Sequence, residues 1–476
     1  MRHSLAVARR IPNPIEITFR LIMLNSYDIA YYCVLGLTAP LWLSFPTARR
    51  KVLKALRERM GHVAPRHPSR WAVMVHAVSL GEMNATRALI DLLRQSNPEL
   101  QFIVSTTTDT GYERGEQLYG KSTDVTLIKY PLDFSGAVTR VLDRLKPALV
   151  VLMELEVWPN FLHRCRQRNI PVIIANGRMS DGSFRNYRRF KPLLSTMFRR
   201  LTKVCAQDES FAARFVELGV APENAVVTGT MKFDTAQISE RIAGDSELAE
   251  AVGLYPGPEQ IWVCGSTGPG EEEIILRLYR DLLSTHARLR LVIVPRKPER
   301  FDEVAVLIES MKFRLVRRSR RKLAASKGIV PAVVLGDTMG ELRKFYSLAD
   351  VVFVGRSLVD LGSKQHGSDM IEPAALARPV IVGPFTGNFT DVMRRFQESD
   401  AMVIVKDESE LRAAMMDLLA SPKKANAMGQ RAQAVVRQGQ GATGRHMNVI
   451  LEILETVEKS SWPAIVRDDA GNRPMI

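Results

Sequence analysis

From residue 70 onward the chain alternates short β-branched apolar runs with segments of helical period, and it does so twice. The first series is WAVMVHAVS (71–79), QFIVSTTT (101–108), VTLIKYPL (125–132), ALVVLMELE (148–156), PVIIANGR (171–178) and KVCAQD (203–208). Between the first two runs, Ala85, Ala88, Leu89, Leu92 and Leu93 fall on one helical face. Strands without internal polar alternation, separated by helices, require a parallel sheet covered on both sides. The pattern stops over 235–258, a polar stretch ending in Pro-Gly-Pro. It resumes with IWVCGST (261–267), RLVIVPR (290–296), AVVLGD (332–337), VVFVGRSL (351–358), PVIVGP (379–384) and AMVIVKD (401–407). This predicts an α/β chain of two Rossmann-like, doubly wound domains facing a central cleft. Ligands in such sheets lie beyond the carboxyl ends of the strands. The predicted division is 1–60, an anchoring segment and its basic flank; 61–240 and 241–445, the two Rossmann-like domains; and 446–476, a helix and polar tail.

Composition narrows the class further. The 476 residues are 46% hydrophobic and 25% charged, which excludes a disordered chain, a coiled coil and a polytopic membrane protein. The four Cys are far apart with no CxxC, which excludes a disulfide framework and a Cys-rich zinc module. The eight His show no HxxxH or HExxH spacing, so no metal site is predicted. The formal net charge of +15 calls for a polyanionic partner: nucleic acid, anionic lipid or a phosphorylated substrate.

Residues 21–45 read LIMLNSYDIAYYCVLGLTAPLWLSF, with Asp28 the only charge. The uninterrupted part, 29–45, is about 17 residues, the short end of what spans a bilayer. Tyr27, Tyr31, Tyr32 and Trp42 suit the membrane–water interface, and Arg49, Arg50, Lys51, Lys54, Arg57 and Arg59 follow at once. The positive-inside rule then puts the rest of the chain on the cytoplasmic side. An in-plane anchor is the competing reading, because Asn25, Ser26, Asp28 and Pro40 weaken a span.

A second basic cluster runs over 164–203, where Asp181 is the only acid. Within it Phe184, Tyr187 and Phe190 interleave with Arg178, Arg185, Arg188 and Arg189, a composition suited to an anionic amphiphile. A solvated charged face accounts for such a run equally well. RNA is the rival ligand, but none of the usual nucleic-acid motifs is present.

Several motifs fall where strands end. Run 71–79 passes through HAVSLGE into a helix, placing Glu82 at the junction. There it serves either as a first-turn carboxylate complementing the helix dipole or as a general base. GSTGPGEE (265–272) follows a strand and opens a helix, where small residues free backbone N–H groups for phosphate or simply make a turn. PRKPERF sets Arg296 at a strand end, and GDTMGEL turns into a helix at Gly340 and Glu341. In MIEPAAL, Glu372 either caps a helix or accepts the hydroxyls of a ribose.

In order along the chain, HAVSLGE, MELEVWPN, NGRMSDGSFRNYRRF, GTMKFD, GSTGPGEEE, PRKPERF, GDTMGEL, GRSL, IEPAALARPVIVGP and GNF resemble the 3-deoxy-D-manno-octulosonic acid (Kdo) transferases of lipid A biosynthesis. These are inverting glycosyltransferases of GT-B architecture. The resemblance implies CMP-Kdo as donor, a phosphorylated lipid A precursor (lipid IVA) as acceptor, and no cofactor or metal. It implies that the first domain binds acceptor and the second binds donor, at the cytoplasmic face of the inner membrane. Carried over, Glu82 is the general base. Ser266, Thr267, Arg296, Gly340, Glu341 and Glu372 line the CMP pocket, and Lys232 offsets donor charge. Arg178, Arg185, Arg188 and Arg189 meet acceptor phosphates through the two-pronged guanidinium fork.

The sequence departs from the family pattern in places. Asp369 stands where Asn is common, in a longer loop, and Gly355-Arg356-Ser357 replaces Gly-Gly-Ser. Lys297 stands where His is frequent. Two other readings are a GT-B enzyme using a different nucleotide sugar, and a non-catalytic protein binding RNA or anionic lipid.

Overall fold

The β-branched runs form strands that pair entirely in parallel, as their two-sided apolarity demands. The computed structural model describes residues 26–45, 55–66, 70–320, 332–362 and 365–465. The chain divides into two units, one running to Met231 and resuming at Gly441, the other Lys232–Gln440. The division lies before the predicted 240/241 boundary, and the C-terminal helix belongs to the first unit.

In the first unit, β1 (Ala72–His76), β2 (Gln101–Thr106), β3 (Val125–Lys129), β4 (Leu149–Met153), β5 (Val172–Gly177), β6 (Lys203–Ala206) and β7 (Ala225–Val227) form a sheet ordered β3-β2-β1-β4-β5-β6-β7. The order reverses between β1 and β4, whose register pairs His76 with Leu152. The helix Leu80–Ser96 covers one face through Leu89, Ile90 and Leu93, all fully buried. Each such side chain contributes about 1.5–3 kcal/mol. The helix Ala442–Ile465 packs on the same face through Ile450, Ile453 and Leu454. Buried His446 accepts a hydrogen bond from the Asn176 N–H at Nε2 (2.8 Å), and its Nδ1 faces the Ala442 carbonyl at 2.7 Å.

In the second unit, β8 (Gln260–Thr267), β9 (Leu289–Pro295), β10 (Arg314–Arg317), β11 (Ala332–Leu335), β12 (Val351–Val354), β13 (Val380–Val382) and β14 (Val403–Ile404) are ordered β10-β11-β9-β8-β12-β13-β14. The reversal lies between β8 and β12, with Val354 paired to Gly265. Gly355 permits the close approach just beyond: a Cβ there would stand 2.5 Å from Thr267 Cα.

The apolar N-terminal segment is a helix, Ser26–Ser44. Among the described residues no helix is long and apolar enough to cross a membrane. Residues 21–25 and most of the basic flank, including Arg49, Arg50, Lys51 and Lys54, lie outside the described residues. Asp28, the charge that interrupted the apolar run, is 1% exposed. Its Oδ1 accepts from the Ser135 N–H (2.9 Å) and Asn160 Nδ2 (3.0 Å), and its Oδ2 from the Ser135 hydroxyl. The helix Ser135–Leu145 begins after Phe134, which cannot cap it, so Asp28 supplies an acceptor that the local sequence lacks. Asp133 does the same for the helix Pro159–Gln167, accepting from the N–H groups of Asn160 (3.0 Å) and Phe161 (2.8 Å) and from the Tyr31 hydroxyl (3.0 Å). Beyond Tyr31, every side chain described up to Phe45 is exposed, Leu37 being 81% exposed.

Candidate active site

At the reversal point of the first sheet, β1 leads through Ala77 and Val78 to Ser79, the N-cap of the helix Leu80–Ser96. Ser79 Oγ accepts from the Glu82 N–H at 3.2 Å. The Glu82 carboxylate reaches back to the N–H groups of Val78 (3.0 Å) and Ser79 (3.2 Å), closing a capping box. Glu82 therefore is the first-turn carboxylate read from the sequence, and it caps the helix as well. Each oxygen uses one lone pair on the backbone and keeps another, so capping and proton acceptance are compatible.

Across the reversal, the loop after β4 carries Glu154, in the left-handed region at φ 55°, and Glu156. Burial, with the negative charge of Glu82 and Glu154 nearby, pushes the Glu156 carboxyl up to about 7 despite a hydrogen bond from Trp158 Nε1 at 3.2 Å. The ring of His76 stands beside it, Nε2 at 3.9 Å from Glu156 Oε2, too far for a hydrogen bond. His76 is fully buried, its Nδ1 lies 3.0 Å from the Ser105 carbonyl, and desolvation lowers its pKa to about 3. It is a neutral imidazole.

Arg178 follows β5, and Arg185, Arg188 and Arg189 lie exposed on the helix Asp181–Arg189. Arg188 and Arg189 stack over Phe184 (5.7 Å) and Phe190 (5.9 Å). Asp181 is held by Arg214, so it does not neutralise these three exposed arginines.

In the second unit one N–H of the glycine loop after β8 is taken up within the chain. The Gly268 N–H donates to Glu271 (2.8 Å), as do the N–H groups of Arg356 (2.7 Å), Ser357 (2.9 Å) and Leu358 (2.9 Å). These are donors a phosphate would use, and a fully buried carboxylate of the same chain already fills them.

Ser266 is buried at φ 56°, and the buried Thr267 hydroxyl has no hydrogen-bond partner among the described residues. The Arg296 N–H donates to the Thr267 carbonyl at 3.1 Å, which sets its exposed side chain beside β8. Arg296 lies within electrostatic reach of Asp369 and Glu372, and burial and Asp369 push the Glu372 carboxyl up to about 7. Lys232 donates to the Asn388 carbonyl at 3.0 Å over the Phe389 ring. Gly340 sits at φ 83°, ahead of the helix Leu342–Leu348. The Glu341 side chain is engaged by Arg318 (2.9 Å) and Thr338, so only its backbone is open to a ligand. Among the described residues no cluster of three or more His, Cys, Asp and Glu is placed to hold a metal.

Residues 54–235 match the family described as 3-deoxy-D-manno-octulosonic-acid transferase (kdotransferase). The 3-deoxy-D-manno-octulosonic acid transferase of Haemophilus influenzae is 35% identical over 389 residues, 82% of this chain and 88% of that protein. The chain belongs to this family. The Bordetella pertussis enzyme of the same description is 33% identical, over 82% of this chain and 90% of its own. Among solved structures, a glycosyltransferase from Rickettsia africae is similar at a TM-score of 0.51 and 13% identity, covering 83% of this chain and 100% of that one, a likeness of fold alone.

Of the sequence-derived residues, Glu82 follows β1 at the first sheet reversal and Ser266 and Thr267 close β8 at the second, while the others follow other strands. Glu82 and the arginines of 178–189 belong to the first unit, and Ser266, Thr267, Arg296, Gly340, Glu341, Glu372 and Lys232 to the second. Sequence reasoning did not single out Glu156. Glu156 lies inside MELEVWPN, whose two glutamates flanking Leu155 at a strand end were the available signal.

Proposed function

We propose that this Kdo transferase moves Kdo from CMP-Kdo to a phosphorylated lipid A precursor (lipid IVA), inverting the anomeric centre and releasing CMP, in lipopolysaccharide core biosynthesis. Family membership carries the reading, and the charge distribution supports it. The acceptor hydroxyl oxygen bonds to the anomeric carbon of Kdo. The bond from that carbon to the CMP phosphate oxygen breaks, and its electron pair leaves with CMP. Glu82 takes the hydroxyl proton. Arg296 and Lys232 stabilise negative charge on the departing phosphate, while Glu372 accepts hydrogen bonds from the ribose. Thr267 and the backbone at Ser266, Gly340 and Glu341 complete the pocket.

Arg178, Arg185, Arg188 and Arg189 bind the acceptor phosphates. The ring-backed arginine face and the exposed apolar side chains of the helix Ser26–Ser44 support a place on the inner membrane, with both units on the cytoplasmic side. The in-plane anchor is the favoured form, because Asp28 and Tyr31 bind the start of the helix to the first unit.

Transfer from CMP-Kdo to the tetraacylated precursor, with EDTA present, tests the reading. Wild type yields product, and Glu82→Gln loses about 10²–10⁴ of the rate, the usual scale of general-base catalysis, with an unchanged circular dichroism spectrum. Full activity in a folded Glu82→Gln enzyme removes Glu82 as the base.

A further inference from the structure

At the first sheet reversal two glutamates face opposite kinds of partner. Glu82 meets the N–H groups of Val78 and Ser79, the partners of a carboxylate. Glu156 meets the ring of His76, whose Nε2 lies 3.9 Å from its Oε2. We propose that Glu156 serves transfer as a neutral acid, its proton directed at His76 Nε2, and so leaves Glu82 as the carboxylate that takes the acceptor's proton. The inference rests on the proposed role of Glu82 and deepens it. Glu156 is then a positioning residue, since it acts through Glu82.

His76 Nδ1 lies 3.0 Å from the Ser105 carbonyl oxygen, which can only accept, so Nδ1 carries the ring hydrogen. The Ser105 hydroxyl, also at 3.0 Å, suits that tautomer as an acceptor. Nε2 is then a bare lone pair. It is buried and has no hydrogen-bond partner among the described residues. Such an acceptor costs free energy until a donor reaches it. The Tyr130 ring stacks on the imidazole with centroids 3.8 Å apart, which keeps the imidazole from turning toward water. A carboxylate at Glu156 would set negative charge against that lone pair, whereas a carboxylic acid supplies the missing donor. The gap is about 1 Å beyond a hydrogen bond, and a small rotation of a side chain that is 26% exposed closes it. Trp158 Nε1, donating to the same oxygen at 3.2 Å, holds the carboxyl beside the ring.

The other groups around Glu156 favour the same form. Glu82 on the helix Leu80–Ser96 and Glu154 in the same loop add negative charge. Tyr187 on the helix Asp181–Arg189 and Tyr130 after β3 also face it, and both are neutral phenols. No Lys or Arg stands within ion-pair distance of Glu156 among the described residues. Burial and the two acids keep the proton on Glu156 up to about pH 7. Two carboxyl groups whose surroundings differ in this way divide the roles of acid and base between them. Anionic substrates also meet one negative charge fewer at this sheet edge.

The test follows the rate of Kdo transfer across pH in the full-length enzyme as wild type, Glu156→Gln and Glu156→Ala. Wild type loses rate as pH rises through about 7, where Glu156 gives up its proton. Glutamine keeps an N–H for His76 at every pH, so Glu156→Gln stays active and lacks this alkaline fall. Glu156→Ala loses about tenfold or more throughout, the scale of one buried acceptor left without its donor. A merely structural carboxyl would give neither the vanished fall nor the rescue by Gln. Infrared difference spectra supply a readout independent of turnover: in mildly acid buffer, Glu156→Gln removes a protonated-carboxyl band from the wild-type spectrum. An alkaline fall that persists in Glu156→Gln, a Gln variant as slow as Ala, or loss of an ionised-carboxylate band instead overturns the assignment and leaves Glu82 as the base. Wild type that transfers nothing from CMP-Kdo removes the donor reading, and the infrared band alone then decides the state of Glu156.

Discussion

Glu82 and Glu156 show how two carboxylates at one sheet edge come to differ. Glu82 caps a helix through two backbone N–H groups. Glu156 is desolvated beside two other acids, and its carboxyl rises to about 7 from an ordinary value of 4.5. The folded state therefore holds the Glu156 proton more tightly than the unfolded chain does. Between pH 4.5 and 7 it binds more protons, so stability falls as pH rises through that window. Replacing Glu156 with Gln removes this term. The variant is more stable than wild type at pH 8, by about 1–3 kcal/mol from a shift of this size, and not more stable at pH 4. Urea unfolding at the two pH values measures it, and an equal change at both contradicts the cause given. Glu82 and Arg296 drew notice in the sequence because each follows a strand inside a family motif, and Glu372 because a helix opens inside another. Glu156 also follows a strand inside such a motif, and what sets it apart is burial beside the charges of Glu82 and Glu154, which no residue name records.

At the scale of elements, two-sided apolar runs marked twelve of the fourteen strands among the described residues. β7 (AVV) is three residues long, and β10 (RLVR) hides its apolar pair between arginines, so neither showed the pattern. The N-terminal segment was harder for a different reason. Asp28 read as a blemish on an apolar span, yet it is an acceptor supplied to a helix whose own N-cap is Phe134. Asp28→Ala leaves the Ser135 N–H, the Ser135 hydroxyl and Asn160 Nδ2 without this carboxylate. It is expected to cost about 3 kcal/mol, the upper end for one buried acceptor serving several donors. A nitroxide on Cys33, the exposed cysteine of that helix, reports the same event: its spectrum sharpens as the helix start detaches. A variant with wild-type stability and line shape contradicts the role given to Asp28.

At the scale of the molecule, repeating one strand–helix pattern on either side of a polar pause was enough to predict two parallel-sheet units. What the pattern could not show is that the chain returns. The helix Ala442–Ile465 completes the core of the first unit, joined to it by His446, a contact between residues 270 apart in the chain. The glycine loop after β8 shows the complementary failure. Its sequence permits a phosphate nest, and only the fold reveals that its Gly268 N–H is turned to Glu271. The central claim is a choice among donors. The most direct measurement offers CMP-Kdo and a UDP sugar together to the purified enzyme with the lipid A precursor, and weighs the product by mass spectrometry. The account predicts product heavier by Kdo alone, with CMP released in equal amount; addition of the UDP-borne sugar instead would contradict it.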